Sequence, residues 1–173
     1  MSSTTLAAPS PSFLNGWALV IGNEGAYSNN PADPGGETMY GITERVARKW
    51  GFAGPMIDLP LSTAQQIGYA EYWQPNQLDK LDSGVAAQVF DGIYNSGADP
   101  AVKWLQISCR AFPDGVVGPD TIAAANAIPP ARLIGRYDAR RLLFLANLEG
   151  EWPTFGRGWA RRIANNLLAG EKG

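Results

Sequence analysis

The first apolar stripe of the chain predicts a helix that ends at an acidic residue. Apolar residues recur at helical spacing from Phe13 to Ile21, and Ser12 stands where an N-cap is expected. The stripe ends at Glu24, and Gly25 is a typical residue to follow the last turn of a helix. An acid at a helix C-terminus is unfavourable for the helix dipole, so the position of Glu24 needs a reason other than helix stability.

Residues 26–41 interrupt the helical pattern. This segment is polar and dense in Gly, Pro and Asn, which favour turns. It predicts a long loop or a small β-excursion between the first helix and a short second one, for which Thr43 is a suitable N-cap.

The rest of the chain is a series of apolar helical stripes separated by turn formers. The stripe over 84–95 is the widest and predicts a central core helix. A capping-box pattern at Ser62–Gln65 predicts a helix that runs to about Trp73. The sequence therefore predicts a mostly α fold with a short loop or β-hairpin insert after the first helix. Further helices are predicted from Thr43 to Trp50, from Asp99 as N-cap to about Phe112, from Gly118-Pro119, over 131–149 and after Trp152-Pro153, with a turn at Asp114-Gly115.

A length of 173 residues suits one domain. Residues 1–11 are rich in small residues and proline, and we expect a flexible N-terminal lead there. Proline-rich breaks near 113–130 mark a boundary between a region at 12–112 and a C-terminal region at 113–173, which we expect to pack on the same domain.

The chain contains no histidine and a single cysteine, Cys109. Ser-His-Asp triads, Cys-His pairs and zinc sites of the H-E-x-x-H type all need an imidazole, so these hydrolase chemistries are excluded. Cys109 lies in an apolar stretch and is predicted to be a buried small side chain without a disulfide partner. An enzyme of this composition that uses no cofactor must rely on carboxylates, which favours cleavage of glycosidic bonds.

Glu24 and the polar loop after it form a candidate glycosidase site. A helix end gives the acid a rigid base and an apolar flank, and desolvation there raises the pKa of a carboxyl group, so that it keeps a proton for the leaving oxygen. Asp33 and Thr38 follow in the loop and could hold a water molecule if the loop folds back over a cleft. Asp33 could instead form only an Asx-turn, and Glu37 is a rival second carboxylate. The loop does not have EF-hand spacing, so no metal site is predicted.

Aromatic and amide side chains near the loop are candidate sugar contacts. Tyr27 and Tyr40 bracket the loop and could stack on sugar faces or serve as structural props. Asn95 could bind an N-acetyl group or cap the end of its helix. Tyr72 is a candidate for the wall of the groove, whereas Trp73 beside it is predicted to belong to the core.

The string from Glu24 to Thr43 resembles the signature of glycoside hydrolase family 108, whose members are phage and prophage N-acetylmuramidases. In that family the glutamate opens an E-G-G-Y motif, and this chain departs from it at Ala26. The resemblance extends over most of the chain through Tyr69-x-x-Tyr72-Trp73, Asp91-x-x-Tyr94-Asn95-x-Gly97, Asp114-Gly-Val-Val-Gly118-Pro-Asp-Thr121 and Phe155-x-x-Gly158-Trp159-x-x-Arg162.

The resemblance implies a lysozyme-like helical fold and hydrolysis of the β-1,4 bond between N-acetylmuramic acid and N-acetylglucosamine in bacterial peptidoglycan. It implies that Glu24 is the general acid and that Asp33 positions the water, and a more distant likeness to phage lysozymes adds Thr38. It makes 12–112 the catalytic region and 113–173 a peptidoglycan-binding-like region, and it implies no cofactor. The substrate-binding candidates are then Tyr27, Asn30, Tyr40, Tyr72, Tyr94 and Asn95.

Two alternatives stay open at this point. A lytic transglycosylase would use Glu24 but no water, because the sugar's own hydroxyl attacks. A cell-wall-binding or phage structural protein would keep the fold without the chemistry.

The net charge of −2 hides an asymmetry along the chain. Residues 132–173 hold eight basic and four acidic residues, whereas 1–131 hold six basic and twelve acidic residues. The basic C-terminal region could face an anionic polymer or outer-membrane lipid, or it could be a solvated helix face. In its last helix we expect the apolar stripe of Trp159, Ile163 and Leu167 to be core and the arginines to be solvated. We expect a monomer that does not bind nucleic acid.

The N-terminus, Met1 to Ser12, has no Lys or Arg and no apolar run of signal-peptide length. The chain has no run of about 18 apolar residues that would predict a membrane span. We therefore expect a protein that accumulates in the host cytoplasm. The resemblance implies a phage endolysin, for which a holin would open the way to the periplasm and the cell wall.

Overall fold

The computed structural model describes residues 8–24, 27–28 and 36–170. Within them lie eight α-helices and one antiparallel sheet with the strand order β1-β2-β3. The prediction of a mostly α fold with a β insert after the first helix is confirmed. The helices are α1 (Pro11–Glu24), α2 (Glu44–Lys49), α3 (Leu61–Gly68), α4 (Ser83–Ser96), α5 (Ala98–Cys109), α6 (Pro119–Asn126), α7 (Pro130–Ala146) and α8 (Trp152–Gly170), and the strands are β1 (Tyr27–Ser28), β2 (Thr38–Met39) and β3 (Ile42–Thr43).

The first helix begins one residue earlier than its predicted cap. Ser10, not Ser12, accepts a hydrogen bond from the main-chain N–H of Phe13, at 3.1 Å. Pro11 then occupies the first helical position, where its missing N–H costs nothing. The prediction of Ser12 as N-cap is therefore wrong by two residues.

Two further predicted helix starts are wrong in detail. The capping box at Ser62–Gln65 does not form, because α3 begins at Leu61 directly after Pro60 and has no side-chain cap. The helix α5 begins at Ala98 after Gly97, so Asp99 lies in the first turn instead of capping it. An acid in the first turn still favours the helix dipole. The cap predicted at Thr43 and the helix start predicted at Gly118-Pro119 are confirmed.

The core is built around α4, which packs along α1. Phe13 of α1 makes edge-on contacts with Trp73 and Phe90, with ring centroids 5.5 Å and 5.4 Å apart. Trp73 is fully buried, as predicted. It ends a single π-turn, Tyr69–Trp73, that continues the line of α3. Each fully buried aromatic side chain contributes roughly 1.5–3 kcal/mol by removal of apolar surface from water.

A buried ion cluster joins α4 to the two C-terminal helices. Asp91 of α4 is fully buried and binds Arg141 of α7 at 2.5 Å and Arg162 of α8 at 2.6 Å. The Asn166 amide donates a further hydrogen bond to Asp91 at 2.8 Å. Burial alone would raise the pKa of Asp91, but the two guanidinium groups outweigh it and hold the pKa below its usual range.

This cluster overturns part of the prediction for α8. Arg162 is buried against Asp91, whereas it was predicted to be solvated, and Leu167 is 40% exposed, whereas it was predicted to be core. Ile163 is buried as predicted. The reason is that the ion pair sets the rotation of α8 about its axis, and an apolar stripe read from sequence cannot show where a buried counterion lies.

A second acid lies close to the ion cluster in α7. Asp138 is fully buried, and neither of its carboxyl oxygens has a hydrogen-bond partner among the described residues. Burial raises the pKa of Asp138 to about 7 against the attraction of Arg141. The neighbouring Tyr137 hydroxyl is also buried without a partner.

The loop between α5 and α6 is organised by one buried amide. Gln106 of α5 donates hydrogen bonds to Asp114 at 2.7 Å and to Thr121 at 3.1 Å, and it accepts one from the N–H of Gly115 at 2.9 Å. Gly115 has a φ of 81°, which confirms the predicted turn. Cys109 is buried, as predicted.

No helix within residues 8–24 and 36–170 is both long and apolar enough to cross a membrane. The division of the chain at about residue 113 stays a prediction.

Replacing Asp91 by Asn should lower the free energy of unfolding by about 3–5 kcal/mol, because two buried guanidinium groups would lose their counterion. Urea denaturation measures the change. Asp99→Asn is the matched control, since Asp99 pairs with Lys103 on the surface at 2.8 Å. Its loss should cost less than about 1 kcal/mol. Equal losses in the two variants would contradict the role of Asp91 as a buried anchor.

Asp138 should make the protein less stable as the pH rises. Its pKa in the folded state, about 7, lies above the value in an unfolded chain, so folding favours the protonated form. The stabilisation is complete below about pH 4 and is lost as the pH rises through about 7. Asp138→Asn should therefore flatten the fall in unfolding free energy between these values, as measured by urea titrations at several pH values. An unchanged slope would show that Asp138 does not titrate in this range.

Candidate active site

The predicted acid, Glu24, is the last residue of α1. This confirms the predicted end of the helix, although the position of the Glu24 carboxyl lies outside the described part of the chain. The last turn of α1 carries no basic residue that would compensate an acid there. Directly beyond it the chain enters the three-stranded sheet, so Glu24 stands at the junction of the helical core and the sheet.

Thr38 lies in the middle strand of that sheet. β1 pairs with β2 through Tyr27 opposite Met39 and Ser28 opposite Thr38, and β2 pairs with β3 through Thr38 opposite Thr43. The Thr38 side chain is half-buried. Asn30 and Asp33, the other two predicted site residues of this segment, lie outside the described residues. The sheet register brings Thr38 back beside β1, which starts three residues after Glu24.

Tyr27 and Glu37 are linked across the same sheet. The Tyr27 hydroxyl donates a hydrogen bond to a carboxylate oxygen of Glu37 at 2.8 Å, and Tyr27 remains 42% exposed. Glu37 therefore already binds a side chain, which makes it a structural partner of Tyr27. Its predicted rivalry with Asp33 as the second carboxylate stays untested.

The turn between β2 and β3 is a tight two-residue hairpin. Tyr40 and Gly41 both have positive φ values, 54° and 73°, which matches the turn type that two-residue hairpins favour. The Tyr94 hydroxyl of α4 donates a hydrogen bond to the main-chain oxygen of Tyr40 at 3.0 Å. The ring of Tyr94 packs so closely on Gly41 that a Cβ at this position would overlap it. The sheet is thus fixed to the end of α4 at its turn.

Tyr94 also belongs to an aromatic cluster that connects the sheet to the helices. Its ring centroid lies 5.1 Å from that of Tyr72 and 6.1 Å from that of Trp17, both in edge-on contacts. Burial raises the pKa of the Tyr72 hydroxyl. The structure thus brings together Tyr40, Tyr72 and Tyr94, three of the predicted binding residues, as one half-buried wall that contacts α1 through Trp17.

Asn95 is oriented by the buried ion cluster. Its side-chain oxygen accepts a hydrogen bond from Arg141 at 3.2 Å, while Arg141 binds Asp91 with its other terminal nitrogen. The side chain does not act as a simple helix cap, because the N–H of Gly97 bonds to the main-chain oxygen of Ile93. Among the residues that the structure describes, the N–H donors of the Asn95 amide have no hydrogen-bond partner.

Sequence reasoning missed the residues that support this wall. Glu71 accepts hydrogen bonds from Lys49 and from the indole of Trp50, both at 2.8 Å, and thereby ties α2 to the π-turn that carries Tyr72. These hydrogen bonds hold the pKa of Glu71 below its usual range. For Asp91 a signal did exist, because a charged residue inside the widest apolar stripe must be paired. No sequence signal pointed to its partners, Arg141 and Arg162, which lie 50 and 71 residues away.

Among the residues that the structure describes, no group of three acids, cysteines or histidines lies close enough to hold a metal ion.

Comparison with known proteins agrees with this architecture. The family model described as Glycosyl hydrolase 108 matches residues 17–97. The solved structure of Brucella abortus SagA is similar to this chain, with a TM-score of 0.81 and 32% sequence identity over 93% of this chain and 94% of that one. No curated protein sequence is similar enough to this chain to count as a match.

The helical core with a small sheet after its first helix and these similarities define a glycoside hydrolase with a lysozyme-like fold. The chain belongs to glycoside hydrolase family 108.

Replacing Gly41 by Ala should loosen the hairpin and weaken hydrolysis, because the added methyl group would overlap the ring of Tyr94. Overpacking of this kind costs about 1–3 kcal/mol. Gly51→Ala is the matched control, since Gly51 has a similar φ of 83° but open space around it. Stability and the rate of peptidoglycan hydrolysis are measured for both variants. Equal losses of stability and activity in the two variants would show that backbone strain causes the effect and that the contact with Tyr94 does not.

Proposed function

We propose that this glycoside hydrolase is an N-acetylmuramidase that cleaves the β-1,4 bond between N-acetylmuramic acid and N-acetylglucosamine in bacterial peptidoglycan. The observation that carries the proposal is Glu24 as the last residue of α1, where the helical core meets the sheet. Membership of family 108 supports peptidoglycan as the substrate.

In the proposed reaction Glu24 is the general acid. It donates its proton to the glycosidic oxygen as the bond to the sugar breaks. The last turn of α1 has no basic residue, and the negative end of the helix dipole disfavours a charged carboxylate there. Glu24 therefore keeps the proton until the leaving oxygen takes it.

A water molecule held by Asp33 and Thr38 attacks the opposite face of the sugar ring. Asp33 accepts a proton from this water, so the reaction consumes one water and leaves a free reducing end. The position of Thr38 in the middle strand supports this assignment, because that strand is fixed through the neighbouring hairpin by Tyr94. The mechanism requires inversion, for which the two carboxyl groups stand roughly 6.5–9.5 Å apart.

The aromatic wall supplies the sugar contacts. Tyr40, Tyr72 and Tyr94 form its described part, and Tyr27 presents a partly exposed ring on β1. Asn95 donates to the N-acetyl carbonyl, since Arg141 occupies its oxygen and leaves its N–H groups for the substrate.

The biological setting of this proposal is lysis of a bacterial host. As an endolysin the protein accumulates in the host cytoplasm and reaches the wall when a holin opens the inner membrane. This setting follows from the sequence resemblance to phage muramidases.

Replacing Glu24 by Gln should reduce hydrolysis of purified peptidoglycan by about 10²–10⁴-fold, because the side chain can no longer donate a proton. The fall in turbidity of a wall suspension measures the rate. Glu37→Gln is the matched control, since Gln keeps an acceptor for the Tyr27 hydroxyl. Unchanged activity of Glu24→Gln would remove Glu24 from the mechanism and favour a non-catalytic wall-binding protein.

The products separate hydrolysis from transglycosylation. Mass spectrometry of the digested wall should show muramic acid with a free reducing end, initially as the α-anomer if the reaction inverts. Anhydro-muramic ends would instead identify a lytic transglycosylase. An initial β-anomer would show retention and remove the water-positioning role of Asp33.

A further inference from the structure

The last helix buries two polar side chains and exposes several apolar ones. Arg162 and Asn166 of α8 are buried because both bind Asp91. Fixing this side of α8 toward the core turns the other side toward solvent. The exposed apolar side chains on that side are Ala160, Ala164, Leu167 and Leu168, of which Leu167 is 40% and Leu168 59% exposed.

A groove of about 620 Å³ runs between α7 and the first half of α8. All of its lining residues are apolar, namely Ala139, Leu142, Leu143 and Ala146 of α7 with Trp152 and Ala160 of α8. Leu143 on its rim is 66% exposed, and Phe144 beside it is 41% exposed. A contiguous apolar surface of this kind on a folded domain marks a binding surface.

The charges around this groove are mostly positive. Arg140 lies on α7 one turn before Leu143, and Arg157 and Arg161 flank Ala160 on α8, all three exposed. The two buried arginines of these helices both bind Asp91 and are not part of this surface. The exposed acids between residues 130 and 170 are Glu149 and Glu151, both in the turn that joins the two helices.

We propose that this α7–α8 face docks on the surface of an anionic lipid bilayer. Leu168 and the rim of the groove enter the boundary between headgroups and acyl chains, while Arg140, Arg157 and Arg161 bind lipid phosphates. Apolar side chains bordered by exposed arginines are the combination that binds anionic membranes at their surface. An uncharged apolar partner would leave these cations without a counterpart, so the charge favours the bilayer.

The surface is separate from the proposed catalytic residues. It uses the outward faces of α7 and α8, whereas the sheet and the aromatic wall are fixed to α1, α4 and the π-turn. Docking therefore places the enzyme at a membrane surface and takes no part in the hydrolysis itself.

The full-length protein is tested by sedimentation with vesicles that contain one-quarter phosphatidylglycerol in phosphatidylcholine, and with pure phosphatidylcholine vesicles. We expect binding to the anionic vesicles alone. Replacing Arg140, Arg157 and Arg161 by Gln should weaken it roughly 100-fold, since each cation at an anionic surface contributes about fivefold. Replacing Leu143 and Leu168 by Ser should weaken it at least about tenfold even where salt screens the charges.

A second triple variant controls for net charge. Lys80, Lys103 and Arg110 are exposed or half-buried cations on other elements, and their replacement by Gln changes the net charge equally. We expect it to bind within about threefold of the natural chain at physiological salt, where charges far from the membrane are screened. Circular dichroism and hydrolysis of lipid-free peptidoglycan should be unchanged in all three variants.

Three results would overturn the proposal. Equal weakening by the control triple would mean general charge attraction, and equal binding to neutral vesicles would remove the role of the arginines. A dimer in light scattering that the Leu143 and Leu168 replacements convert to a monomer, without vesicle binding, would show that a second copy covers the groove.

Discussion

Asp91 is a single buried carboxylate that holds three helices in one arrangement. It sits in α4 and binds one guanidinium from α7 and one from α8, with Asn166 as a further donor. A well-packed apolar cluster in its place could be as stable, because the desolvation of buried ions offsets much of their attraction. An apolar cluster, however, would let α8 rotate about its axis. The ionic cluster does not, since its hydrogen bonds form in one orientation.

One turn of α4 connects the buried ion cluster to the candidate site. Asn95 lies four residues after Asp91 and shares Arg141 with it. Tyr94 lies on another side of the same turn and holds the hairpin at Tyr40. The order of the site therefore depends on the ionic anchor, although Asp91 itself is too buried to meet a substrate. Asp138 also stabilises the same helix bundle, and it does so more at acidic than at neutral pH.

Local patterns in the sequence were sufficient for much of this fold. The end of α1 at Glu24, the β insert, the central α4 and the buried Trp73 all follow from helical periodicity and turn chemistry. The errors share one cause, which is that a nearby residue or a distant partner took over a local role. Ser10 caps α1 in place of Ser12, and Pro60 begins α3 before the capping box could act.

Arg162 shows the limit of such reasoning most clearly. In the sequence it is one of several arginines on a basic helix, and only Asp91, 71 residues earlier, distinguishes it from Arg161 beside it. Likewise, the wall of Tyr40, Tyr72 and Tyr94 joins three separate segments. The types of these residues indicated sugar binding, but which of them meet depends on tertiary packing.

The position of the proposed acid, Glu24, is unfavourable for the stability of the end of α1. Glu24 ends a helix whose last turn has no cation, so the helix dipole opposes a negative charge there. For a structural residue this would be a defect, because a neutral or basic side chain would stabilise the helix end better. For a general acid it is an advantage, since whatever disfavours the carboxylate favours the proton that the leaving oxygen needs. The same arrangement that weakens α1 as a helix thus suits Glu24 to the proposed reaction, which is why its position in the sequence is informative about function.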